Sequence, residues 1–356
     1  MKLIKHTIAL AITYSMVLMA AAQKEQLLFH SGFEAGTRMK STLNSDELVG
    51  VDNSVSGAND WSKFTKDNKG YPEAGSFKLY FEGGDSTKRK VRLAPDPKNP
   101  ANTVLRFTVY ESNAVKNPTD TVAFKTRIQG QVSRAEPGIT KYYQSVRMYF
   151  PSSTMQLLDK YPDDISWYSL AEFWNNGVWG NPPVAPDPYR LTVGMSHKKG
   201  AGNPFYFHFS CDDYTIKFKP DGLNPEKYIP TRVAGGGALD SAIPSDTWIT
   251  VEYYYQEGDW KPTKDRPAGH FYMTVQSDGG KKQTLFNQRV PTMHTNAVEP
   301  PDGLTTYHPL KFYTNKQIAD YMKANHTPME ILWDDLTIYS NKIPDDTELK
   351  TALAKP

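Results

Sequence analysis

An all-β sandwich, two large antiparallel sheets facing each other, is the fold class this sequence predicts. Three observations predict it. Alternating apolar and polar runs recur along the chain, while helical periodicity is nearly absent. Gly, Pro, Asn or Asp interrupts those runs at the short intervals of a sandwich. The composition agrees, since 12% aromatic residues with 26 prolines and 24 glycines suit many short strands joined by turns.

The first element is an export signal over residues 1–22. Lys2 and Lys5 precede an apolar stretch from Ile8, which ends in Ala20-Ala21-Ala22. Small residues there place cleavage before Gln23, and Thr13, Tyr14 and Ser15 interrupt a run already short for a membrane span. The mature chain is therefore expected in the periplasm or outside the cell, with no membrane span left. Cleavage removes two lysines and no acid, which takes the formal charge from +2 to zero. That lacks the basic excess of a duplex binder, so no nucleic-acid partner is expected. Cys211 is the only cysteine, so core burial must stabilise an exported chain without internal disulfides.

Residues 23–341 read as one domain, followed by a polar, weakly helical tail at 342–356. Strand-like runs cover 27–33, 76–81, 103–110, 122–136, 142–150, 166–174, 189–196, 205–211, 214–218, 248–256, 268–275, 283–290, 310–313 and 330–339. Two short helices are expected, at 153–160 and 315–325. The second starts at a capping Asn315 and carries Ile318, Tyr321 and Met322 at helical spacing. Segments 40–75, 86–102, 176–188, 219–245 and 291–309 read as long loops. Gly235-Gly236-Gly237 reads as a flexible loop, because no strand-to-helix context would make it a phosphate cradle. A monomer is expected.

Alternation assigns the polar side chains to faces. Arg134 shares a face with Glu136, Glu172 with Trp174, Tyr206 with His208, and Lys311 with Tyr313. The opposite positions are Ala171 and Phe173, then Phe205, Phe207 and Phe209, then Leu310 and Phe312. One face is a core, and the other carries the acids, bases and aromatics of a sugar-polymer groove. Trp179 and the proline-rich stretch 181–188 would rim it.

Several stretches resemble the jelly-roll, concanavalin A-like polysaccharide lyases. They are Ser133-Arg134-Ala135-Glu136, the strand ending Phe150-Pro151, Asp246-Thr247-Trp248, and His308-Pro309-Leu310-Lys311-Phe312-Tyr313 ahead of a closing Asp334-Asp335 strand. The family's late Gly-Ile-Tyr is Lys311-Phe312-Tyr313 here, and its mid-chain Gln-x-His is Glu172-Phe173-Trp174. The resemblance implies a lectin-like sandwich with a concave groove that cleaves an acidic polysaccharide by β-elimination. It also implies that the first and last strands lie side by side, bringing Glu34 near Asp334 or Asp335. A calcium ion between Glu34 and Asp335 is one expectation there, and plain hydrogen bonding is the other. No cofactor is expected for the chemistry itself.

The elimination requires a neutraliser for the C6 carboxylate, a base for the C5 proton and an acid for O4. Arg134 fits the first role through its fork. His208 fits the second, with Tyr313 or Tyr206 as the partner acid and Lys311 supplying charge. Glu136, Glu172, Trp174, Trp179 and Arg190 would bind substrate. Two other readings remain open. A glycoside hydrolase would pair Glu172 with Glu136 or Glu252 at about 5–5.5 Å for retention, or further apart for inversion. A non-catalytic glycan-binding protein would need only stacking aromatics and polar tips.

Overall fold

The computed structural model describes residues 24–42, 45–64, 76–81, 86–112, 125–133, 138–175, 188–220, 225–259, 268–294, 303–304 and 306–354. The signal segment, Arg134, Glu136 and Trp179 fall outside them. In chain order the strands are β1 (Gln26–Ser31), β2 (Thr37–Ser41), β3 (Ser45–Gly50), β4 (Phe77–Phe81), β5 (Arg89–Pro95), β6 (Thr103–Val109), β7 (Lys125–Ser133), β8 (Lys141–Tyr149), β9 (Tyr168–Asn175), β10 (Tyr189–His197) and β11 (Phe205–Phe218). They continue as β12 (Pro225–Ala242), β13 (Trp248–Gln256), β14 (Gly269–Ser277), β15 (Gln283–Val290), β16 (Thr306–Asn315) and β17 (Met329–Ser340). The helices are α1 (Trp61–Phe64), α2 (Ser152–Leu158), α3 (Lys316–Ala324) and α4 (Thr347–Ala354).

The strands form two antiparallel sheets, as the alternation predicts. One runs β15-β14-β13-β8-β17-β6-β5, with β1 also on β17; the other runs β12-β11-β10-β9-β16-β7-β4-β3-β2. The first and last strands pair, with Ser31 opposite Leu336. Apolar residues from both sheets meet in one core, where Phe173 packs on Tyr253 and Phe209 on Phe271.

β3, β5 and β12 lie in segments that read as loops, and β2 begins just ahead of one. β2, β5 and β12 are sheet edges, where half the ladder is unpaired and little apolar alternation is needed. β3 neighbours β2 and buries Asp46 and Glu47, so its pattern is not apolar. The triple glycine is strand, not flexible loop. Gly235, Gly236 and Gly237 pair with Ser210, Phe209 and His208. A Cβ on Gly237 would stand 3.1 Å from the Tyr206 ring, so the strand approaches that ring because it carries no side chain. β11 continues through Asp212-Asp213, which reads as a break. Both helical expectations stand. Asn315 caps α3 by accepting the Ile318 N–H at 2.9 Å.

One inter-sheet clasp positions the functional face. Gln144 of β8 is fully buried in the core; it accepts the Tyr142 hydroxyl at 2.7 Å and donates to the Pro309 carbonyl at 3.0 Å. Pro309 lies in a bulge of β16, where the pairing with β7 slips between Tyr307 and Leu310. A proline inside a sheet loses a ladder donor, and a bulge absorbs that loss.

Candidate active site

The outer face of the nine-stranded sheet gathers its polar side chains over β7, β16, β9, β10 and β11. Glu172 lies at the centre, 1% exposed. Lys311 Nζ is 2.5 Å from its Oε2, Trp174 Nε1 donates to the same oxygen at 3.2 Å, and Arg190 Nη1 is 3.5 Å from Oε1. His308 Nδ1 lies 3.9 Å from Oε2, and its Nε2 meets Gln131 at 3.2 Å. Arg190 bridges onward to Asp212 at 3.3 Å and stacks over Trp174 and Tyr214. Tyr313 takes Lys311 4.9 Å and Arg127 5.1 Å from its ring centroid, and Trp167 packs on it edge-on.

The electrostatics follow from burial with unequal charge. Burial alone would push the Glu172 carboxyl up, but Lys311 and Arg190 hold it down to about 2, so it is ionised. Lys311 is pushed down to about 7, first by burial and then by Arg127 and Arg190, against the pull of Glu172. Burial and Lys311 keep the His308 ring neutral, well below its ordinary range. Among the described residues Arg127, Arg190, Lys311 and Arg232 face the two carboxylates of Glu172 and Asp212, so positive charge is in excess there. Thr192 Oγ1, Gln129 Oε1 and His308 Nδ1 are buried here without a hydrogen-bond partner.

The expected residues divide into two groups. Lys311, Tyr313, Glu172, Trp174 and Arg190 come together. His208 and Tyr206 lie on the same face but further along it. His208 pairs with Gly194, Gly194 with Ser169, and Ser169 with Tyr313. Three strand spacings separate His208 from Tyr313, about 14 Å. The C5 hydrogen and O4 of one sugar cannot be served by groups that far apart. Glu252, a candidate second carboxylate, is on β13 of the other sheet, held by Tyr143 at 2.9 Å and Thr274 at 2.9 Å.

Arg127, His308 and Asp212 belong to the cluster and were not singled out from sequence. Arg127 had a readable signal, because Arg127, Gln129 and Gln131 alternate with Ile128, Gly130 and Val132. His308 had none. It lies three residues from Lys311, which in a regular strand means opposite faces, and only the Pro309 bulge brings both to Glu172.

Glu34 and Asp335 approach one another across Gly32, whose added Cβ would lie 3.5 Å from Asp335 and 3.6 Å from Glu34. Glu34 accepts the Thr103 N–H at 3.0 Å, while Arg147 sits 3.6 Å from Asp334 and 3.8 Å from Asp335. That guanidinium supplies positive charge where a cation was expected. Among the described residues no group of three or more His, Cys, Asp or Glu is placed to hold a metal ion. No helix among them is long and apolar enough to cross a membrane.

No protein-family model matches the chain, and a search of the curated proteins found no relative. The solved structures to which it is similar include two alginate lyases. The marine PL-14 alginate lyase from Aplysia kurodai is 10% identical, with a TM-score of 0.40 over 70% of this chain and 87% of that one. The alginate lyase Aly36B, solved with an alginate tetrasaccharide, is 14% identical, with a TM-score of 0.35 over 66% of this chain and 80% of that one. The binding domain of botulinum neurotoxin serotype G overlaps at 8% identity and a TM-score of 0.27, over 80% of this chain and 49% of that one. At such identities and overlaps none of the three lends its chemistry to this chain.

Proposed function

We propose that this chain is a polysaccharide lyase that cleaves a uronate-containing glycan by β-elimination, with Tyr313 moving the protons. The observation that carries this reading is the Tyr313 phenol flanked by Lys311 and Arg127, with Lys311 fixed in place by buried Glu172. Arg127 offers a forked donor to the C6 carboxylate, which makes the C5 hydrogen acidic. Tyr313, as the phenolate, takes that proton. The C4–O4 bond breaks as the C4–C5 double bond forms, and the phenol returns its proton to O4, so Tyr313 ends as it began. Both cations stabilise the negative charge passing between phenol oxygen and sugar. Lys311 is 1% exposed and acts through its charge rather than by touching substrate.

The hydrolase reading is the weaker one. A general acid needs a raised carboxyl pKa, and Glu172 is held at about 2. Asp212, the other carboxylate of the cluster, is tied to the same Arg190. The residue 1–22 pattern supports export of the mature chain, and nothing in the proposed chemistry requires a second copy.

Products decide the matter. The mature protein is incubated with a panel of uronate polymers, and the fragments are read by mass and ultraviolet absorbance. Unsaturated fragments support elimination. Saturated fragments with new reducing ends would replace it with hydrolysis. Binding with no fragments would leave a glycan-binding protein.

A further inference from the structure

A polar pocket lies on the same sheet face, toward β12. It is a cavity of about 750 Å³ whose lining includes Ser166, Ser196, Tyr206, His208, Arg232 and Gly237. His208 Nδ1 meets Ser196 Oγ at 2.8 Å, and its ring lies over β10. That placement depends on Gly194, whose added Cβ would stand 2.8 Å from His208 Cε1 and 2.8 Å from the Tyr168 carbonyl. Asp212 faces two guanidinium groups, Arg190 at 3.3 Å, which it shares with Glu172, and Arg232 at 3.6 Å. The Arg232 side chain is 66% exposed. Burial and Arg232 push the His208 ring down to about 4, leaving it neutral at ordinary pH.

Between the pocket and Tyr313 the sheet carries only Gly194 and Ser169 in that row. Arg127 and Lys311 at one end and Arg232 at the other are thus joined by a low floor about 14 Å long, room for a few linked sugar rings crossing the strands.

We infer that the His208–Arg232 pocket is a second acidic-sugar subsite, and that the substrate is a polyuronate with carboxylates on successive units rather than a glycan with isolated uronates. Arg232 binds a carboxylate away from the scissile bond, and His208 and Ser196 hydrogen-bond that unit. The inference rests on the lyase reading of the Tyr313 end.

The test uses size-fractionated oligouronates prepared from a homopolymeric polyuronate. In the unmodified protein KM falls as the oligomer lengthens past the shortest one cleaved. In Arg232→Ala the ratio of short- to long-substrate KM collapses by about tenfold, the worth of one charge-assisted hydrogen bond. His208→Ala gives a smaller loss of the same kind, and Arg232→Lys recovers part of it. A length dependence that survives both alanine variants overturns the subsite. Calorimetric binding of the same oligomers to Tyr313→Phe, with and without Arg232→Ala, separates this inference from the lyase reading. Arg232-dependent affinity with no unsaturated product from the parent protein removes the lyase and keeps the subsite. Product with Arg232-independent affinity does the reverse, and neither product nor affinity removes both.

Discussion

The outer faces of the two sheets are built from the same kind of strand and put it to different use. On the eight-stranded sheet the outward row is Tyr143, Tyr254 and Tyr272, buried with Leu349 of the C-terminal helix α4. Each phenol there has an acceptor: Glu252 at 2.9 Å, Gln256 at 2.8 Å and Asp346 at 2.9 Å. On the nine-stranded sheet the outward residues are opposite charges buried together, with Thr192, Gln129 and His308 atoms left unpartnered. The tyrosine row is hydrogen-bonded and covered, although the same face buries His270 Nδ1 and Arg106 Nε without a partner. The second face gathers guanidinium and ammonium groups around buried carboxylates, which is what a site for an anionic ligand offers. Alternation finds a polar face; the balance of charge gathered on it distinguishes its purpose.

The comparison can be broken by substitution. Glu172→Gln strands Lys311 without its buried counter-ion, leaves Arg190 only Asp212, and is expected to cost about 3–5 kcal/mol, read by urea denaturation. A loss below about 1 kcal/mol would mean that the cluster is solvated and no different from surface ion pairs. On the other sheet, Leu349→Ala should cost about 2–4 kcal/mol by opening a cavity over the tyrosines. It should leave turnover intact, because α4 serves only the covered face. Tyr272→Phe, which removes the hydroxyl donated to Asp346, should cost about 1 kcal/mol and also spare turnover.

The two faces should also respond oppositely to pH. Lys311 has a folded pKa lowered to about 7, so the unfolded chain binds more protons above that point. Its contribution makes stability rise with pH from about 7 toward the ordinary lysine value of 10.5. Asp334, beside the Arg147 cluster of the other sheet, is raised to about 7 by burial and by Asp335. Its contribution is fully present below the ordinary 3.8 and is lost as pH rises to about 7. Thermal unfolding across pH in Lys311→Met and Asp334→Asn should remove one limb each. Removal of the same limb by both variants would contradict the assignment.

The sequence made the sandwich legible because its central strands alternate cleanly. It hid β2, β5 and β12, which as edges need little alternation, and β3, whose buried Asp46 and Glu47 read as exposed. The placement of Glu172 with Trp174, and of Lys311 with Tyr313, follows from parity alone. Parity could not tell that His208 stands three strands from Tyr313, because the order β11-β10-β9-β16 is a fact of topology. Nor could it reveal His308, whose side depends on a bulge at Pro309 held from the opposite sheet by Gln144. Asp212 was obscured because two adjacent aspartates read as a turn, whereas Arg190 and Arg232 neutralise one of them within a continuous strand.

The most direct test of the central claim is the rate of unsaturated-uronate formation by Tyr313→Phe, measured by ultraviolet absorbance beside the parent protein, with oligouronate binding followed in parallel. The account predicts a fall of about 10²–10⁴-fold with binding retained, the size of a lost proton-transfer group. A variant that still forms product at the parent rate would show that the protons move elsewhere and contradict the assignment of the active centre to the Tyr313 end of the face.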